Sequence, residues 1–235
     1  MLLPLDLTAA CGDTVVSNEE IKLLVDLAPE RFIGFASVDP NRPDAVEVLE
    51  HAFRDLKLAG LKLHPSKQSF DPAGERLAPI YELCLAYDKP ILFHAGLSWE
   101  PDALSEYSRP ILFEKVAYRY PELRICLAHF GWPWVMETAA LLLKYPNVYA
   151  DTALLYFDSA REFYERVFTK DLELTWIDRS LRHQLLFGSN NPRFEQIRML
   201  SSLGKLGSAG FDAGADQGEE RASIPRNGGD WHDRP

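Results

Sequence analysis

Three of the six histidines share one kind of position, each closing a short apolar run: Leu61-Lys62-Leu63-His64, Ile91-Leu92-Phe93-His94 and Ile125-Cys126-Leu127-Ala128-His129. Imidazoles gathered at neighbouring strand ends suit two chemistries. Neutral ring nitrogens bind a divalent first-row cation, and an imidazole takes up or gives back a proton near neutral pH. A single strand-end histidine is more often a hydrogen-bonded structural group, but three in one setting favour a site. His64 precedes Pro65, which also suits a turn, and Lys62 shares its face two residues back. Asp39, ahead of Pro40, reads as a turn former. Asp151 reads as a helix cap, or as a carboxylate that accepts a proton or orients a histidine. Asn190 carries an amide, which cannot act as a general base and binds cations poorly. Phe130, Trp132 and Trp134 read as packing at a helix start, or as a wall that keeps water from a substrate. His51 and His183 fall in helical segments and read as surface residues; His232 has no assigned role.

These side chains need a scaffold that brings strand ends to one rim. Seven apolar runs, at 2–7, 31–38, 60–63, 90–93, 124–128, 148–150 and 184–187, have the length and flanking turns of buried parallel strands. Helical segments separate them. Ser17-x-x-Glu20 is a capping box before Ile21, Leu24 and Ala28. Pro43 opens a helix in which Val46, Leu49, Phe53 and Leu56 recur until Gly60. Leu77, Ile80, Cys84 and Tyr87 form the next, and Phe113, Val116 and Tyr120 the one after. Further helices are predicted over 134–145, 159–168 (Ser159-x-x-Glu162 as a second box) and 192–203. A repeat of about 30 residues is the size of a βα unit.

Two architectures suit such alternation: a doubly wound open sheet and a closed (β/α)8 barrel. No Gly-x-Gly-x-x-Gly follows the first run. Polar residues of catalytic type cluster instead at the ends of several strands, which favours the barrel. In a barrel, His94 shares its face with Leu92 and His129 shares its face with Leu127 and Ile125, and those parities are expected to point inward. Seven strands are recognisable where such a barrel has eight. The barrel is therefore expected to be incomplete and to occupy residues 1–206, with 207–235 a Gly-rich disordered tail.

Composition narrows the function classes. The chain of 235 residues is 46% hydrophobic and 26% charged, with 25 Lys+Arg against 35 Asp+Glu, a net charge of −10. Acidity argues against nucleic acid and anionic membrane as partners. No apolar run reaches the length of a membrane span, and the start lacks a basic signal-peptide region. Three cysteines, Cys11, Cys84 and Cys126, show no metal spacing and read as reduced thiols of a cytoplasmic protein.

The ordered set of motifs RFIGFASVDP at 31–40, GLKLHP at 60–65, PILFHAG at 90–96, LAHFGWPW at 127–134, NVYAD at 147–151 and LFGSNNP at 186–192 resembles the amidohydrolase superfamily. The similar branch contains aminocarboxymuconate-semialdehyde decarboxylase, γ-resorcylate decarboxylase and related hydrolases, and the resemblance covers about residues 2–203. It implies a (β/α)8 barrel dependent on a divalent metal, zinc or manganese. The implied reaction is hydrolysis or non-oxidative decarboxylation of a small cyclic carboxylic acid, and a homodimer is common in the branch. By the same resemblance His94 binds the metal and His129 transfers protons; His64 and Trp132, from their place at the mouth, are the candidate substrate contacts. The position of a catalytic, metal-binding Asp is taken by Asn190. The family's His-x-His pair has no counterpart, and residues 2–7 match its second strand, the first being absent. The alternative reading is a catalytically inactive barrel kept for binding or assembly. A third reading uses Lys62 as a Schiff-base amine, with the expectation that it lies too deep, two residues short of the strand end.

Overall fold

The computed structural model describes residues 1–153 and 155–207. The expected disordered tail, apart from Gly207, and His232 lie outside the described residues. In chain order the principal elements are β1 (Asp6–Leu7), α1 (Thr8–Cys11), β2 (Asp13–Thr14), α2 (Asn18–Leu27), β3 (Ala36–Ser37), α3 (Ala45–Arg54), β4 (Leu61–Leu63) and α4 (Ala78–Ala86). There follow β5 (Ile91–Phe93), α5 (Glu114–Arg119), β6 (Ile125–Leu127), α6 (Val135–Lys144), β7 (Val148–Asp151), α7 (Ala160–Arg166), β8 (Leu185–Leu186) and α8 (Gln196–Gly204).

Strands β3 to β8 form one parallel sheet in sequential order, β3-β4-β5-β6-β7-β8. Sequential parallel strands with helices between them are the wall of a (β/α)8 barrel, here incomplete. The first apolar run departs from expectation. It meets the sheet through a single parallel bridge, Leu2 to Gly34, and then turns away as β1, antiparallel to β2. Asp6 explains the departure. It is buried and accepts the backbone N–H of Thr8 and Asp39, and it pairs with Arg42 at 3.0 Å, so the chain is committed to a polar knot.

Alternation along each strand sorts side chains between two faces. Ala36, Leu61, Leu63, Ile91, Phe93, Ile125, Leu127, Val148 and Ala150 join the helix residues Leu49, Phe53, Ile80 and Val116 in the main core. The other face carries a smaller cluster of Phe35, Leu92, Cys126, Ala128 and Tyr149, the interior of the incomplete barrel. Lys62, His64, His94 and Asp151 have the same parity as this second set.

Local signals explain most helices. Both hydrogen bonds of the Ser17–Glu20 capping box form at α2. At α7 the Ser159 hydroxyl accepts from Glu162 N–H. The predicted helix at 192–203 begins later, at Gln196, because the chain after Pro192 first makes a turn in which Arg193 N–H meets the Asn190 carbonyl. His51 is exposed on α3, whereas His183 is exposed in the turn before β8 rather than on a helix. Cys84 and Cys126 are buried free thiols and Cys11 is an exposed one.

Phe93 is fully buried between Tyr81 and Phe113, with the Phe113 ring 4.8 Å away. Phe93→Ala is expected to cost about 3–5 kcal/mol in urea unfolding, by lost burial and an unfilled cavity. Leu200→Ala, on an exposed part of α8, should move stability by no more than about 0.5 kcal/mol.

Candidate functional site

The sheet delivers His64 and His94 directly, since each follows a strand by one residue on the interior parity. Their rings stack, with centroids 3.8 Å apart and planes 8° from parallel. His129 arrives differently. Leu127 and Ile125, its expected face-mates, belong to the helix-side core. Strand parity alone would therefore send His129 outward. The backbone breaks that parity: His129 and Phe130 adopt left-handed φ values of 60° and 47° directly after β6. This twist places the His129 ring 5.0 Å from that of His94, edge to face.

A left-handed conformation costs a non-glycine residue about 1–2 kcal/mol. The carboxylate of Asp151 offsets it. Its Oδ1 accepts His129 N–H at 2.8 Å and Ala153 N–H at 3.0 Å, joining the ends of β6 and β7. Asp151 thus orients a histidine, one of its expected roles, by gripping the backbone rather than the ring.

The ring hydrogen bonds define the tautomers, because carbonyl oxygens only accept. His94 Nε2 donates to Leu97 O at 3.1 Å, leaving a lone pair on Nδ1. His129 Nδ1 donates to Ala153 O at 3.1 Å, leaving a lone pair on Nε2. His64 Nδ1 accepts from Lys67 N–H at 3.3 Å, so its proton sits on Nε2. Burial lowers the pKa of all three rings, and neighbouring positive charge from Lys62 adds to this. At His129, Asp151 works in the opposite direction. All three imidazoles are neutral at neutral pH.

Three cationic side chains lie close to the cluster. Lys62 reaches in from β4, its amine pKa lowered to about 8 by desolvation against the pull of Asp151. Lys67 lies at the rim in a 2.7 Å ion pair with Glu100, and Arg193 is close enough to act on His129. Such a rim attracts an anionic ligand.

The loops above the rim are laced together. Leu97 O accepts from both His94 Nε2 and the Tyr156 hydroxyl, the latter at 2.8 Å. The Tyr156 ring stacks on exposed Trp99 at 5.2 Å. Leu97 N–H donates to Trp132 O at 2.9 Å, and the backbone approach is close enough that a Cβ at Gly96, where φ is 105°, would collide with that carbonyl. The Trp132 ring packs on Phe157 at 5.1 Å and borders a cleft of about 1010 Å³ between α6 and α7. The histidines do not line that cleft. Asn190 sits half-buried with φ 55° after β8, two residues beyond Gly188, where an added Cβ would lie 3.2 Å from the Asp151 carboxylate carbon. Asp39 caps the first turn of α1, accepting from Ala9 and Ala10 N–H.

Gln68 escapes sequence reasoning. Fully buried, it accepts His64 N–H at 2.7 Å and donates to the carbonyls of Asp6 and Val38, tying three chain segments below the rim. Its only sequence signal is a place four residues after His64, which does not separate a buried tie from a solvated amide.

A divalent cation requires at least three suitable side chains plus an open position for catalysis. Among the described residues no group of three His, Cys, Asp or Glu side chains is arranged to hold one. The lone pairs left on His94 and His129 number two, and Asp151 is engaged with backbone donors. The residues described do not complete a cation site.

The profile of the family described as Amidohydrolase matches residues 4–213. The chain is 30% identical over 87 residues to the protein fluG of Emericella nidulans, covering 37% of this chain and 10% of that one. It is 24% identical over 130 residues to 2-amino-3-carboxymuconate-6-semialdehyde decarboxylase of Dictyostelium discoideum, covering 48% of this chain and 36% of the relative. The matched stretches thus span little more than a third of these curated relatives at most. An uncharacterized TIM-barrel protein from Bordetella bronchiseptica superposes with TM-score 0.66 at 20% identity, over 85% of this chain and 72% of the other. A 5-carboxyvanillate decarboxylase variant from Novosphingobium aromaticivorans, solved with bound manganese, superposes with TM-score 0.57 at 16% identity, over 79% and 62%. Both superpositions agree with the barrel fold.

Two outcomes test the site's construction. Asp151→Ala, which orphans two buried N–H groups, should cost about 2–3 kcal/mol in chemical unfolding, and Asp151→Asn should recover most of it by keeping an acceptor oxygen. Stability should also fall as pH drops below about 6.5, where the unfolded chain takes up protons that the lowered folded-state histidines refuse, by up to about 1.4 kcal/mol per pH unit for each histidine. His64→Asn should flatten that dependence in a pH series of urea midpoints.

Proposed function

The chain belongs to the amidohydrolase family, and from that premise we propose that it is a hydrolase or non-oxidative decarboxylase acting on a small cyclic carboxylic acid. The observation that carries this reading is the neutral imidazole cluster inside a cationic rim, with rings 3.8 Å and 5.0 Å apart at the C-terminal ends of β4, β5 and β6. That end of a parallel barrel is where catalytic groups converge. The carboxylate of the ligand is drawn by Lys67 and Arg193, and the aromatic stack of Trp99 and Tyr156 beside Leu97 suits a planar ring. His129 is the proton carrier. Its Nε2 is unprotonated at neutral pH, its Nδ1–H is held by Ala153 O, and its backbone is clamped by Asp151, so it takes a proton from water or substrate and hands it back. His94 is fixed by Leu97 O, with the His64 ring stacked on it.

The decarboxylase named among the curated relatives and the manganese-bound structural neighbour favour this class. Zinc or manganese chemistry is not assigned to this chain's own side chains, because the described residues do not complete a cation site.

The test is turnover of a panel of small cyclic carboxylic acids, followed by carbon dioxide release and by ring absorbance, with and without added manganese or zinc. Activity is expected on at least one acid, with His129→Asn lowering kcat by about 100-fold or more. A folded chain that neither binds nor converts any acid of the panel, whatever metal is added, overturns the reading in favour of the inactive barrel.

A further inference from the structure

We propose that Lys62 is a nucleophilic amine that forms an imine with the carbonyl of a small oxo acid at the floor of the same site. The inference rests on the anionic-ligand reading above and deepens it, by naming a substrate class and a bond-making residue. Lys62 is the central residue of β4, paired in register with Ser37 on one side and Leu92 on the other. Its side chain therefore faces the barrel interior, toward Leu92, Cys126 and Tyr149. Interior lysines are normally tied into ion pairs. Among the described residues the Lys62 amine makes no hydrogen bond or ion pair, although it is near enough to Asp151 to feel its charge. Lys62 lies two residues short of His64 at the strand end and keeps partial solvent exposure there.

The surroundings raise the share of free base. Burial is the largest influence on the amine, Lys67 adds repulsion, and Asp151 and Cys126 oppose them; His64, His94 and His129 face it as neutral rings. With the pKa lowered to about 8, roughly a tenth of the amine is unprotonated at pH 7, against well under a thousandth for an ordinary lysine. A desolvated lysine of this kind is the usual nucleophile of imine-forming enzymes.

The steps balance without a cation. The Lys62 Nζ lone pair attacks the carbonyl carbon, and the C=O electron pair moves to oxygen, which takes a proton. Nitrogen releases a proton to a neighbouring imidazole, which returns it to the hydroxyl group. That group leaves as water while the protonated C=N bond forms. In a β-oxo acid the C–CO2 bond then breaks, its electron pair passing to nitrogen to give an enamine and carbon dioxide. The enamine carbon takes a proton, and water hydrolyses the imine to release the ketone and restore the amine.

The test is reductive trapping on the full chain. The protein is incubated with 2-formylbenzoate or acetoacetate and cyanoborohydride at pH 7, and the labelled lysines are located by peptide mass mapping. Lys62 is expected to be labelled at least tenfold faster than exposed Lys144, with benzoate slowing only the Lys62 adduct. Lys62→Arg should remove that adduct and leave the slow surface labelling unchanged. Labelling of Lys62 no faster than that of Lys144, in unsubstituted folded protein, overturns the proposal. This readout needs no turnover. Conversion of cyclic acids without Lys62 trapping would sink the imine and spare the hydrolase or decarboxylase reading; trapping without any conversion would do the reverse.

Discussion

The candidate site depends on one carboxylate gripping two backbone N–H groups. Asp151 ends β7 on the interior parity, and its oxygen holds the amides of His129 and Ala153. That grip supports the left-handed pair at His129 and Phe130 together with the turn bond from Trp132 N–H to His129 O, and an ordinary strand exit would carry the imidazole to the helix side. The adjoining Ala153 carbonyl then fixes the ring tautomer. One buried acid thus sets the position, orientation and protonation pattern of the histidine best suited to move a proton. It does so through the main chain, where geometry is stiffer than between two side chains.

Much of the fold was legible because parallel barrels write themselves plainly. Runs such as Leu61 to Leu63 and Ile91 to Phe93 are apolar on both faces, and capping residues such as Ser17 mark where helices begin. The first run was legible as apolar but not as a turn back into a hairpin, since its path is decided by the contacts of Asp6 with Thr8, Asp39 and Arg42, far apart in sequence. Seven expected strands accordingly become six in the ladder, with a lone bridge at Leu2.

The site was legible in part for the same reason. His64 and His94 follow strands directly, so period-two reasoning placed them on the right face. For His129 the same reasoning paired it with the wrong neighbours, because a backbone twist intervened that residue types do not announce. Gln68 and the Asp151 grip were illegible in a stronger sense. Both act by hydrogen bonds to main-chain atoms, which every residue possesses, so nothing in the partners' identities signals them. Trp132 shows a further limit. Its backbone joins the loops at the rim, and its ring lies between Tyr156 of the rim stack and Phe157 beside the cleft, so an aromatic letter in a motif cannot report which half of the residue matters.

The Leu97 carbonyl carries a consequence beyond holding a loop. It receives the ring donor of His94 from inside and the phenol of Tyr156 from outside, and that phenol's ring lies flat on the exposed indole of Trp99. A surface chromophore is thereby wired through two links to the interior imidazole. A guest that displaced His94 would remove the inner hydrogen bond of that oxygen and leave the phenol as its side-chain donor. Among the five tryptophans of the chain, Trp99 is placed so that its ring and the buried imidazole are joined through one carbonyl.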